Sequence, residues 1–238
     1  YENLYSLDNN LSDSKDLLDS IENVNLISEE LNQSCCQDVS IMDIQYGVAQ
    51  LKKNKSPGCD GLTSEFYKTF FEEIAPFLLE TFKEAIKKGE LPASLKQGVI
   101  TLIPKPHKDL LSIDNWRPIT LLNNDYKIIA LIFAKRLKSC LNDLIDECQS
   151  GFMKGRHISN NLRLVLDLVE YCNLLDDFPV ILFLDLQKAF DVWLFSIVDA
   201  IITLYNGGNS CIKLCHGTSS RFNIYKGIRQ GCPISPFL

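Results

Sequence analysis

Asp185 follows a short apolar, β-branched run, residues 180–184, that reads as a buried strand. Its carboxylate is therefore expected at the strand's C-terminal end, where it can hold a divalent cation whose shell is completed by water and phosphate oxygens. Phe190, five positions on, is an aromatic wall able to gauge the sugar of a nucleotide. Further along, Arg229, Gln230 and Gly231 form a polar turn bounded by glycine and proline and leading toward a helix. Glycine there lets backbone approach a ligand closely. Upstream, Lys105 lies between two prolines and Arg117 opens the next strand. A lysine point charge and an arginine fork held on one hairpin suit a triphosphate, although a lysine-rich surface hairpin fits the same residues. Lys154 and Arg156, on a glycine turn, are either a phosphate-backbone clamp or an ordinary loop before a helix. Cys211, Cys215 and His216 have a spacing that invites zinc, but no second cysteine–histidine pair follows, and one face of a strand accounts for the two cysteines better.

The elements that position these residues follow from periodicity. Ile41, Ile44, Val48 and Leu51 fall at helical spacing behind Asp38, a candidate N-cap, and Ser56-Pro57-Gly58 ends that segment in a turn. Residues 63–88 carry Phe66, Phe70, Ile74, Leu78, Phe82 and Ile86 as one apolar stripe, with Pro76 expected to kink or split the helix. Residues 98–103 and 117–122 read as strands around the basic loop. Helices are expected over residues 124–145, 159–172 and 192–205, and a hairpin over 210–215 and 221–225. Helices and strands without strict βαβ alternation make this an α+β chain.

Composition narrows the function classes. The chain has 238 residues, 46% of them hydrophobic and 23% charged, enough apolar surface for a core. No apolar run approaches the length of a membrane span, so no membrane partner is expected. The acidic, polar opening carries no secretory signal, and nine cysteines then read as reduced thiols of a cytoplasmic or nuclear protein. The net charge of −6 hides a gradient: residues 1–50 hold ten acids and one lysine, whereas residues 83–138 hold eleven Lys or Arg against five acids. That basic middle is either a local phosphate-binding surface or a solvated lysine face.

Taken in order, these segments resemble the reverse transcriptases of LINE-type (non-LTR) retrotransposons. Residues 183–191 look like motif A of that family and residues 227–236 like motif B. Residues 102–109 and 115–122 are similar to its paired fingers motifs, residues 51–62 to its N-terminal extension motif, and residues 149–161 to the segment before motif A. The resemblance covers roughly residues 40–238 and implies a right-hand fold of which the chain holds the fingers and part of the palm, with mixed helices and a small antiparallel sheet. It implies Asp185 as catalytic metal ligand for Mg²⁺. It also implies Lys105 and Arg117 on the nucleotide phosphates, Phe190 against the ribose 2′ position, and Gln230 and Gly231 beside the nucleotide. Lys55, Lys154 and Arg156 are implied as template or primer contacts. The implied partners are an RNA template, a DNA primer and dNTPs, and the implied activity is RNA-directed DNA synthesis.

The expected organisation is an acidic connector over residues 1–37, an N-terminal extension and fingers over 38–178, and a partial palm over 179–238. The family's next motif, an aromatic residue followed by Ala-Asp-Asp, is absent, and the stretch after Asp191 is shorter than the family's. One carboxylate should not hold two metal ions, so the expectation is that this chain alone does not polymerise. The alternative from another class is a non-catalytic RNA- or DNA-binding remnant using Lys105, Arg117, Lys154 and Arg156.

Overall fold

The computed structural model describes residues 28–175, 180, 182, 199–225 and 227–237. Its core is helical. Helix α1 (Glu29–Cys36) falls within the stretch expected as a connector and lies against the long helix α6 described below. Arg136 ties it there: its guanidinium donates to the carbonyls of Cys35, Gln37 and Asp38 and pairs with Asp43 at 3.1 Å. Helix α2 (Ile41–Gln50) is capped by Ser40, not by the expected Asp38. The Ser40 hydroxyl accepts from the Asp43 N–H while the Asp43 carboxylate accepts from the Ser40 N–H, a reciprocal box that Asp38 stands too early to form.

The stripe over residues 63–88 makes two helices, α3 (Ser64–Thr69) and α4 (Phe71–Lys88). The break is at Phe70, six residues before Pro76, which sits inside α4. Proline there forfeits one backbone bond near the helix start, a loss α4 tolerates without ending. Gly89, in the left-handed conformation at φ 67°, terminates α4. A short turn of helix, α5 (Ala93–Lys96), leads directly into strand β1 (Gln97–Pro104), and a loop returns the chain as strand β2 (Trp116–Leu122). Helix α6 (Asn124–Leu144) then crosses the core, burying Ile128, Ile129 and Ile132 in one cluster with Ile44, Val48, Phe82 and Ala85.

Helix α7 (Ile158–Leu175) and helix α8 (Asp199–Tyr205) follow. The expected strand over residues 180–184 lies outside the described residues except for Val180 and Leu182, and Asp185 and Phe190 lie outside them altogether. The hairpin near the C-terminal end comprises strand β3 (Asn209–Leu214), a two-residue strand β4 (Gly217–Thr218) and strand β5 (Phe222–Asn223). Cys215 stands past the end of β3, in the turn, so it does not share a strand face with Cys211.

The sheet runs β2-β1-β3-β4 with β5 also on β3. It is mixed, which corrects the antiparallel expectation: β1 pairs antiparallel with β2 but parallel with β3, Gln97 to Ile100 beside Asn209 to Ile212. A parallel pair needs a long crossover, and the more than one hundred intervening residues, α6 among them, supply it. Ile100, Leu102, Ile212, Phe222 and Ile224 close a second, smaller apolar cluster on one side of this sheet.

Candidate functional site

The β1–β2 ladder decides where the candidate cations point. Ile103 is opposite Arg117, and the Lys105 N–H donates to the Asn115 carbonyl at 2.8 Å, so the ladder continues one step past β1. Lys105 and Arg117 are thus diagonal neighbours on one face, about 7–8 Å apart in ordinary ladder geometry. Arg117 is exposed and Lys105 half-buried, its Nζ donating to the Asp114 carbonyl at 2.8 Å. Neither is in an ion pair among the described residues. Two cations on one face, neither in an ion pair among the described residues, can receive an anion.

The same register explains what lies along the other edge of β2. Hydrogen-bonded pairs alternate along an antiparallel ladder, so the backbone groups of Pro118 and Thr120 point away from β1. Proline at 118 therefore sacrifices no ladder bond. At Thr120 the outward N–H donates to the carbonyl of Gln230 at 2.7 Å. Gly231 follows with φ 113°, and a Cβ on it would come within 2.6 Å of the Thr120 carbonyl oxygen and 3.8 Å of the Ile119 side chain. Only glycine fits that approach. Ile119 shares a face with Arg117, so the Gln230–Gly231 turn is seated at the rim of the face that carries both cations.

Arg229 departs from its reading as part of a polar turn. Its side chain is 1% exposed, with the guanidinium carbon 5.1 Å from the ring centre of Tyr126 and 5.9 Å from that of Tyr205. Burial pushes both phenols well above their ordinary pKa, so they are neutral O–H groups at physiological pH, despite the opposing pull of the arginine cation. The Tyr126 hydroxyl lies 3.3 Å from Cys232 Sγ and the Tyr205 hydroxyl 3.2 Å from Ser235 Oγ. The turn continues as a short helix of the 3₁₀ type, Ser235–Phe237, where a helix was expected to follow.

The remaining expected contacts divide. Lys55 is exposed on the 52–63 loop, which is fastened to the start of α6: the Asn124 amide donates to the Leu62 carbonyl, and a Cβ on Gly58 would collide with Asn123. Lys154 is exposed as well. Arg156, by contrast, donates to the carbonyls of Ile145, Asp146 and Gln149, and so satisfies the C-terminal end of α6. Asp185 and Phe190 are outside the described residues, among which no group of three or more His, Cys, Asp or Glu side chains could hold a metal ion. Nor is any described helix long and apolar enough to cross a membrane.

Residues 103–238, more than half of the chain, match the family model described as reverse transcriptase (RNA-dependent DNA polymerase). The chain belongs to the reverse transcriptase family. Its relatives place it in the LINE-type, non-LTR branch. It is similar to the transposon TX1 uncharacterized 149 kDa protein of Xenopus laevis, with 34% identity over 99% of this chain and 19% of that protein. It is 24% identical to the probable RNA-directed DNA polymerase from transposon X-element of Drosophila melanogaster, over 93% of the chain and 26% of the relative. The RNA-directed DNA polymerase from mobile element jockey of the same fly is 28% identical over 65% of the chain and 17% of its own length. This reverse transcriptase domain thus spans at most about a quarter of the relatives it matches.

Proposed function

We propose that this domain serves the RNA-directed DNA polymerase activity of a LINE-type element as its fingers and part of its palm, with the domain divided near residues 37 and 178. The observation that carries the reading is the open sheet face, where Lys105 and Arg117 stand together and the Gln230–Gly231 turn is fastened to the same strand. On it Lys105 and Arg117 receive the triphosphate of a dNTP, the lysine by charge and the arginine bidentately. Gln230 and Gly231 lie beside the nucleotide, where the absent Cβ leaves the backbone bare. Phe190 gauges the sugar and so favours deoxyribose.

Asp185, a hard oxygen donor, is the residue of this chain that would hold Mg²⁺, which when bound neutralises phosphate charge. Lys55 and Lys154, both exposed, meet template or primer phosphates. Arg156 supports Lys154 alone, by holding the turn that carries both to the C-terminal end of α6.

The test is binding of a fluorescent dATP analogue to the purified chain at low salt. Substituting Lys105 and Arg117 together by alanine is expected to weaken it at least about tenfold, the worth of one charge-assisted hydrogen bond. Equal affinity for the double variant would sink the phosphate assignment. For the polymerase assignment, the whole protein that contains this domain should extend a primed RNA template, and Asp185→Ala should abolish extension. Extension that survives the substitution removes Asp185 from the chemistry.

A further inference from the structure

Arg229 is a buried cation that the nucleotide reading leaves without a task. We infer that it is a positioning residue: a peg that holds the Gln230–Gly231 turn on the edge of β2 and, resting on the nucleotide reading above, sets dNTP affinity without touching the nucleotide.

Four observations converge on this. The guanidinium lies against the Tyr126 ring, from α6, and the Tyr205 ring, from α8, so two helices meet the residue that opens the turn. Its Nη1 donates to the Lys96 carbonyl at 3.3 Å, which adds the residue immediately before β1. Its own backbone carbonyl accepts from the Cys232 N–H at 3.0 Å and the Ser235 hydroxyl at 3.1 Å, making peg and turn one unit. The very next carbonyl, that of Gln230, takes the Thr120 N–H.

Burying this charge costs free energy that an apolar side chain would not. Nε and Nη2 have no hydrogen-bond partner among the described residues. A side chain at Gly208 would collide with Nη2, so a glycine keeps that space clear. What the arginine provides in return is a planar, rigid fork that two rings and a carbonyl can hold in one orientation. Neither lysine's point charge nor methionine's flexible thioether offers that.

Amide hydrogen exchange on the purified chain reads the peg directly, because the Thr120 N–H is protected by the turn itself. In Arg229→Lys the Thr120 amide is expected to exchange about tenfold faster, the worth of one hydrogen bond, while the amides of α2 keep their protection. Tyr205→Leu, which keeps the guanidinium and removes one ring together with its hydroxyl contact to Ser235, should give a smaller increase at the same amide, and Tyr205→Phe, which keeps the ring, a smaller one still. Unchanged Thr120 protection in Arg229→Lys overturns the inference. So does a parallel loss at Thr120 and throughout α2, which would make Arg229 an ordinary core residue.

The second readout is the dissociation constant of the fluorescent dATP analogue, expected to rise by a similar factor in Arg229→Lys. Faster Thr120 exchange with unaltered affinity would overturn the link to the nucleotide. If the unmodified chain binds no dATP analogue, the nucleotide reading itself fails, and the exchange measurement still decides whether Arg229 is the peg.

Discussion

Phe82, Ile44 and Ile128 have no solvent exposure in the helical core, whereas Arg117, Ile103 and Leu111 stand open to solvent on and beyond the β1–β2 hairpin. The two regions meet along β2, whose Leu122 end is sealed in the core and whose Arg117 end is free. Helices α2, α4 and α6 pack mainly by apolar side chains, with the Arg136–Asp43 pair at the edge of the α2–α6 contact, so most of their contribution scales with buried area. The open face keeps its groups where a charged ligand can reach them, and contributes little to stability. The difference teaches that folding and ligand binding in this domain should respond to different substitutions. The seam between them, residues 118–124 with the loops fastened to it, should be where the two properties are coupled.

The largest effect expected on the helical side is that of Phe82→Ala. The side chain is wholly buried, so its loss removes transfer free energy and leaves a cavity, together about 3–5 kcal/mol. Denaturant melts should show that drop, while the folded fraction keeps its affinity for a dATP analogue. A variant as stable as the parent would mean that α4 does not pack as described.

Gly58→Ala probes the seam. A Cβ there would overlap the Asn123 side chain and come within 2.7 Å of the Asn123 Cα, and Asn123 is itself held by the Ser94 carbonyl. Overpacking of this kind costs about 1–3 kcal/mol. The same melts check it, and a neutral result would show that the 52–63 loop can lift away from α6 freely.

Asp125 sharpens the comparison through pH. Burial, reinforced by the nearby Asp60 charge, raises its carboxyl to about 6 from an ordinary value of 3.8, although the Tyr126 N–H pulls the other way. Because the folded pKa is the higher one, the favourable contribution is complete below about pH 4 and is lost as pH rises through about 6. The shift corresponds to at most about 3 kcal/mol, and solvent at this half-buried site brings it toward ~1 kcal/mol. Asp125→Asn should therefore flatten the stability profile between pH 4 and 6 and raise stability at pH 7. A profile unchanged by the substitution would show that Asp125 is solvated.

How much of this was legible beforehand depends on the range of the interaction concerned. Helix α6 announces itself through Ile128, Ile132, Leu137 and Leu141, which repeat within one turn or two. The Lys105–Arg117 juxtaposition was legible too, because a hairpin brings sequence neighbours together. Pairings across long separations leave no such trace. Nothing near Val99 predicts its parallel partner Cys211, and nothing near Thr120 predicts the carbonyl of Gln230. Arg229 looked like a solvated turn residue because the rings that cover it come from positions 126 and 205. Arg156 looked available to phosphate for a similar reason, since the carbonyls that occupy it belong to the end of another helix. Ser40 and Asp38 are both able caps, and only Asp43, three residues after Ser40, chooses between them.

The smallest effect on stability is expected from Arg117→Ala, and it is the sharpest test of the contrast. The side chain is exposed and in no ion pair among the described residues, so its removal should leave stability within about 0.5 kcal/mol. Its neighbour on the face is another cation, so the substitution even relieves a repulsion in the unliganded protein. Affinity for a triphosphate should nevertheless fall, and more steeply at low salt than at high, because a phosphate contact releases counterions and screening weakens what remains. Melts and titrations at two ionic strengths check both halves. A destabilised Arg117→Ala protein would mean that the open face is part of the folded core after all, and the division between the two regions would have to be redrawn at Arg117.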